Sequence, residues 1–130
     1  MIVDNCQLAK SERIVSRKLI ETLFGGGVSC SLVAFPLRVV YMVKERAEGD
    51  MPVQMLISVP KKRFHYAVDR NRVKRQVREA YRHNKQQLRL ALPADRQLLV
   101  AFVWLSDRHL PSTDVAHRMA SLIRRIAEKL

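Results

Sequence analysis

Eight consecutive apolar residues, Leu98-Leu99-Val100-Ala101-Phe102-Val103-Trp104-Leu105, constrain the fold of this chain more than any other stretch. A strand that meets water on one face alternates apolar and polar residues, whereas this run is apolar on both parities. It predicts a central strand over 97–105 with both faces covered, so the rest of the chain must supply a layer on each side. The run is far short of the ~20 apolar residues of a membrane span. The opening Met1-Ile2-Val3-Asp4 lacks the charged-then-apolar layout of a secretory signal. The expectation is a soluble cytoplasmic protein with no membrane partner. At 130 residues, 48% of them hydrophobic, a single domain over 1–130 has enough apolar material for a core.

The covering layers are visible on either side of that strand. Ser16 reads as the N-cap of a short helix through Phe24, with Val15 and Ile20 placed as a hydrophobic staple. Gly25-Gly26-Gly27 stops it, glycine being the usual left-handed terminator. Over 28–46 the residues become β-branched and aromatic, and Pro36 interrupts or edges the strand. Glu45 to Pro52 reads as a turn around Gly49-Asp50. Val53, Met55, Ile57 and Val59 then share one parity of a further strand. A long helix over 68–90 has the apolar stripe Val73, Val77, Ala80, Tyr81, Asn84 and Leu88. Pro111-Ser112-Thr113-Asp114 opens a last helix, striped by Val115, Met119, Leu122, Ile123, Ile126 and Leu130. The fold class is therefore α+β: a single domain with helix, two or three strands, basic helix, strand and helix around a mixed sheet of about four strands.

Charge is distributed unevenly over that frame. The chain carries 24 Lys and Arg against 12 Asp and Glu, a net +12. Between Lys61 and Arg89 there are eleven basic residues opposed only by Asp69 and Glu79, so this one segment holds +9. At 100° per residue, Lys74, Lys85, Arg78, Arg82 and Arg75 fall within a sector of about 100°, roughly opposite the Val73/Val77/Leu88 stripe. Like charges four apart, as in Lys74/Arg78 and Arg78/Arg82, destabilise a helix by a few tenths of a kcal/mol each. Solvated helix faces mix signs, and this one does not. A single-sign face points to a polyanion, and the arginine bias to RNA, because guanidinium grips phosphate bidentately and stacks on bases.

Several chemistries are excluded or disfavoured. Cys6 and Cys30 are too few and too far apart for a zinc site, and without a secretory signal they read as two free thiols. His65, His83, His109 and His117 show no metal-ligand spacing. The triple glycine lacks the following Lys-Ser/Thr of a phosphate loop. No catalytic side chain and no metal ligand is assigned.

The stretch Ala67-Val68-Asp69-Arg70-Asn71-Arg72-Val73-Lys74-Arg75-Gln76-Val77-Arg78-Glu79-Ala80-Tyr81-Arg82 closely resembles the signature of the bacterial ribonuclease P protein component, an Arg-Asn-Arg core followed by Lys-Arg and an Arg-Glu pair on one helix. The resemblance extends upstream through Leu23-Phe24-Gly25 and Ile57-Ser58-Val59-Pro60-Lys61-Lys62, and downstream through the apolar strand and last helix. It implies an α-β-β-β-α-β-α fold with a left-handed β-α-β crossover around the basic helix. The function it implies is that of the small subunit of a ribonucleoprotein that removes the 5′ leader from precursor tRNA. The catalyst would be the RNA subunit with its bound Mg²⁺. The protein would be a monomer, one per RNA.

Carried over by position, the resemblance implies that Lys61, Lys62, Arg70, Asn71, Arg72, Lys74, Arg75, Arg78 and Arg82 face the RNA subunit. It implies that Phe24 and Tyr41, with Ile20 one turn before Phe24, bind the leader in a cleft between the first helix and the sheet. Tyr41 also shares parity with Leu37, Val39 and Val43, which reads equally as core, and Phe24 too can be read as core. Ile20 stands where relatives often carry a second aromatic. Arg63-Phe64-His65-Tyr66 replaces the small, glycine-containing link common before the signature. On charge alone a ribosome-associated RNA-binding protein remains the alternative. A DNA-binding module is disfavoured, since no helix-turn-helix pairing or dimer seam is visible.

Overall fold

Four strands and three α-helices follow the expected order in the computed structural model, which describes residues 10–14, 16–25 and 27–130. Helix α1 (Arg17–Phe24) precedes β1 (Cys30–Ala34), β2 (Leu37–Glu45) and β3 (Val53–Ser58); α2 (Ala67–Ala91), β4 (Arg96–Trp104) and α3 (Ser112–Ala127) complete the domain. The sheet order is β1-β2-β4-β3. Strands β1, β2 and β4 pair antiparallel, with Cys30 opposite Tyr41 and Leu37 opposite Trp104, whereas β3 pairs with β4 in parallel. A parallel neighbour requires a crossover, and α2 is that crossover. The sheet is therefore mixed.

The doubly apolar run occupies the middle of this sheet. Leu98, Val100, Phe102 and Trp104 face α2 and α3, where they meet Val73, Val77, Tyr81, Leu88, Val115, Met119, Leu122, Ile123 and Ile126. Leu99 and Ala101 face the other way and pack with Val40, Met42, Leu23 and Ile14 under α1. Each fully buried Leu, Val or Phe contributes about 1.5–3 kcal/mol relative to exposure. The α2–α3 side holds most of these residues and is the main core. The α1 side is thin.

Ser16 caps α1 as expected, its hydroxyl accepting from the Leu19 N–H at 3.3 Å. Val15 and Gly26 lie outside the described residues, and with Val15 the proposed staple. Gly25 caps the end of α1 in a right-handed conformation (φ −69°), a Cβ there would sit 3.0 Å from the Glu21 carbonyl oxygen, and the next position, where a left-handed terminator would stand, is Gly26. Gly49, at φ +87°, does take the left-handed region in the β2–β3 turn, which favours glycine. One element lacks a periodic signal: residues Lys10–Glu12 form a 3₁₀ turn, and Arg13 bridges in parallel to Met55 on the outer edge of β3. The Ile14 N–H donates to the Met55 carbonyl at 2.9 Å. We call residues 10–14 the N-terminal strap.

Candidate nucleic-acid interface

Helix α2 presents the cations because its opposite side is committed to the core. Val73, Val77, Ala80, Tyr81 and Leu88 are buried, while Asn71, Arg72 and Arg75 are exposed and Lys74 and Arg78 half-buried. Among the described residues no carboxylate pairs with Arg72, Lys74, Arg75 or Arg78. Lys74 and Arg78 lie at the rim of the helix, where they line a pocket of about 180 Å³ with Arg13, Ile14, Met55, Leu56 and Ile57 at the β3 edge. Partial burial lowers the Arg78 pKa, and the like charge of Arg13 lowers it further. Three cations line one pocket together with apolar side chains, an arrangement whose charge suits an anionic group. Nothing in the sequence marks Arg13 as a candidate, since it stands some sixty residues away from its two companions.

The remaining residues expected to face the RNA subunit divide. Lys61 and Lys62 are both exposed on the loop after β3. Arg70 instead turns inward, its Nη1 donating to the carbonyls of Phe64 and His65 at 2.9 Å each. Arg82 is held by Glu79, with its Nε 3.1 Å from Oε2. His83 Nε2 lies 2.9 Å from the same carboxylate. These two contacts hold the exposed Glu79 carboxyl at about 2, well below its ordinary value, with the Arg82 hydrogen bond the larger cause.

Lys85 departs most from the expected surface. The helical wheel groups it with the solvent-facing cations, but it is only 3% exposed, with Nζ 3.1 Å from both oxygens of Glu12. Arg89 also donates to Glu12, itself 2% exposed. The reason is geometric: at 100° per residue Lys85 lies about 40° from Tyr81, on the flank of the apolar stripe and not opposite it. The strap covers that flank and brings in the carboxylate. Burial raises the pKa of the adjacent Tyr81 hydroxyl, and the negative charge of Glu12 adds to the effect.

The second surface lies between α1 and the β1–β2 hairpin. Leu23, Phe24, Ser29, Cys30, Ser31, Arg38 and Val40 line a cleft of about 310 Å³. Phe24 is 44% exposed, so it is not core. Ile20 is half-buried against the small core under α1 and does not line the cleft. Tyr41 is not brought there either. It is 4% exposed and points into the main core on the opposite face of β2, alongside Leu37 and Val39. Burial raises its pKa, and neighbouring Cys30 adds to the shift. Strand alternation decides this: Val40, not Tyr41, faces α1. Sequence reasoning missed Arg38, whose Nε donates to Ser31 Oγ at 3.0 Å across the cleft floor, and the exposed apolar side chains of Val33 and Phe35 on the same hairpin. A charged residue interrupting Leu37-Arg38-Val39 was the available signal for Arg38.

Among the described residues no three His, Cys, Asp or Glu side chains converge to hold a metal ion. Cys30 is an exposed free thiol, and Cys6 lies outside the described residues. No described helix is long and apolar enough to cross a membrane.

Residues 8–126 match the profile of the family described as Ribonuclease P. A ribonuclease P protein component of Porphyromonas gingivalis is 45% identical over 122 residues, covering 92% of this chain and 86% of that protein. One from Chlorobium phaeobacteroides is 45% identical over 84 residues, 62% of this chain and 56% of its own. In three dimensions, a Staphylococcus aureus RNase P protein mutant superposes with a TM-score of 0.66 at 19% identity, covering 92% of this chain and 90% of that one. The RNase P protein of Thermotoga maritima gives 0.60 at 24% identity, covering 88% and 96%. These two establish likeness of fold. With the profile spanning nearly the whole chain and relatives at 45% identity, the chain belongs to the ribonuclease P protein family.

Proposed function

We propose that the chain is the protein subunit of ribonuclease P, that it binds the catalytic RNA subunit through α2, and that it holds the 5′ leader of precursor tRNA in the α1–hairpin cleft. The observation that carries this reading is the single-sign surface of Arg72, Lys74, Arg75 and Arg78, extended by Arg13 at the β3 edge. Such a surface neutralises phosphates and releases their counterions on binding. Exposed Lys61 and Lys62 continue it. In the cleft, Phe24 offers a ring for stacking and Arg38 a cation for the leader backbone, a combination suited to single-stranded nucleic acid.

The protein supplies electrostatics and position. Its clustered cations offset the repulsion between RNA subunit and substrate, which divalent ions must otherwise screen. The Mg²⁺ that hydrolysis requires belongs to the RNA subunit, and no side chain of this protein takes part in the bond-breaking step.

The test is reconstitution. Protein freed of RNA should cleave no precursor tRNA. The cognate RNA subunit should act slowly at high Mg²⁺, and adding one equivalent of protein should restore 5′-leader removal at lower Mg²⁺. Cleavage by RNA-free protein, or copurification of ribosomal RNA in place of one structured RNA of a few hundred nucleotides, would overturn the assignment.

A further inference from the structure

The loop joining β3 to α2 carries two aromatic residues that the fold does not use. Tyr66 is 68% exposed, and His65 is exposed beside it, the two rings set edge to face with centroids 5.1 Å apart. Neither side chain joins either apolar cluster. A single exposed ring is ordinary on a protein surface, but two neighbouring rings set edge to face make a contiguous aromatic surface open to solvent.

The loop is nonetheless firmly held from behind. Phe64 is 8% exposed and stacks on His109 with centroids 4.6 Å apart, and His109 Nε2 lies 3.0 Å from the Asp69 carboxylate. Arg63 pairs with Asp107 at 3.2 Å. Arg70 ties down the carbonyls of Phe64 and His65, and the N–H groups of Asp69 and Arg70 donate to the Tyr66 carbonyl. Each of residues 63–66 therefore has its backbone or side chain fixed, while the rings of 65 and 66 point outward. A ring presented on a fixed backbone gives up little conformational freedom on binding, which favours association.

The surroundings identify what the rings receive. Lys61 and Lys62 lie just before them in the chain, and Asn71 and Arg72 one turn into α2, all exposed. An apolar protein partner would meet uncompensated cations here. A nucleotide offers a flat base for the ring and a phosphate for the cations.

We propose that Tyr66, braced by His65, is a stacking platform for an unpaired base of the RNA partner, adjoining the phosphate-binding face of α2. The proposal rests on the RNA-subunit reading above and adds to it a base-contacting site on the loop before α2. Stacking on a base is tolerant of sequence, so the platform adds affinity and register without selecting a base.

The experiment uses the full chain and the cognate RNA subunit. Tyr66→Ala should fold and melt as the wild type, because the side chain is exposed, yet bind the RNA roughly fivefold to a hundredfold more weakly. The slope of log affinity against log salt should not change, since the cations that meet the phosphates are all still in place. Tyr66→Phe should keep the affinity. Tyr66→Trp should also bind, with emission quenched on adding RNA, while buried Trp104 supplies a constant background. Wild-type affinity in Tyr66→Ala together with unquenched emission from Tyr66→Trp would overturn the platform and leave the phosphate grip standing. Loss in Tyr66→Phe equal to that in Tyr66→Ala would place the interaction on the hydroxyl and overturn stacking. Failure of the wild-type chain to bind the RNA subunit at all would overturn both readings.

Discussion

The N-terminal and C-terminal halves of α2 both carry a surplus of cations, but the fold treats them differently. In the first half, Arg72, Lys74, Arg75 and Arg78 have no acidic partner among the described residues and are exposed or at a rim. In the second, Glu79 holds Arg82, and Glu12 holds Lys85 and Arg89. Two carboxylates, one from the helix itself and one from a strap 73 residues earlier than Lys85, leave the cations without an acidic partner, among the described residues, at one end of the helix. A count of basic residues thus overstates the cations available to a polyanion. Position relative to the apolar stripe, and what covers the flank, decides which ones remain.

The largest effect should come from breaking the neutralised half. Glu12→Gln leaves Lys85 buried beside a neutral amide, and removing one member of a buried ion pair costs about 3–5 kcal/mol. Denaturant unfolding of Glu12→Gln, Lys85→Met and the double variant should show the double variant recovering most of that loss. Equal stability of Glu12→Gln and wild type would mean that the strap is not anchored by this carboxylate.

Next in size is Phe24→Ala, which probes the second surface independently of α2. It should weaken binding of leader-bearing precursor tRNA by the holoenzyme by about 1–3 kcal/mol. Affinity for mature tRNA and for the RNA subunit alone should be unchanged. A drop in melting temperature typical of a buried phenylalanine, without any change in substrate preference, would return Phe24 to the core.

Somewhat smaller is the contrast within the helix itself. Arg75→Ala and Arg78→Ala should each weaken RNA-subunit binding by about 1–2 kcal/mol, the worth of a charge-assisted hydrogen bond. Lys85→Met, measured where it is folded, should not weaken it. A loss in Lys85→Met matching that in Arg75→Ala would erase the distinction between the halves.

The smallest effect concerns Glu79. Its carboxyl is held at about 2 instead of 4.5, so its tie to Arg82 and His83 should persist well below pH 4.5 and be released only as the pH falls toward 2. Carboxyl chemical shifts followed by NMR should give a midpoint near 2 in the wild type and one nearer 4.5 in Arg82→Ala.

Most of the fold was legible in the chain. The doubly apolar β4 is the central strand, and the stripes of α2 and α3 are buried nearly residue for residue, because periodicity reports which side of an element meets the core. The strap was not legible. Glu12, Arg13 and Ile14 find their partners on β3 and α2, and no local pattern encodes a pairing across that distance. Tyr41 teaches a related point. Its parity with Leu37 and Val39 points to the core, whereas transfer by family position points to the cleft, and the pleat of β2 brings it to the core. Lys85 lies about 40° from Tyr81 on the helical wheel, so its place on the flank of the stripe was legible, but the strap that covers that flank and brings in Glu12 was not.

The salt dependence of RNA-subunit binding tests the central claim most directly. For the wild type, log affinity should fall steeply against log salt. Replacing Arg72, Lys74, Arg75 and Arg78 together by Ala should reduce the slope by roughly three, about 0.7–0.9 for each phosphate no longer neutralised. Replacing Arg82 and Arg89 should leave the slope nearly unchanged. A wild-type slope near zero, or an equal reduction from the Arg82 and Arg89 replacements, would contradict an account in which α2 grips phosphate through its N-terminal half.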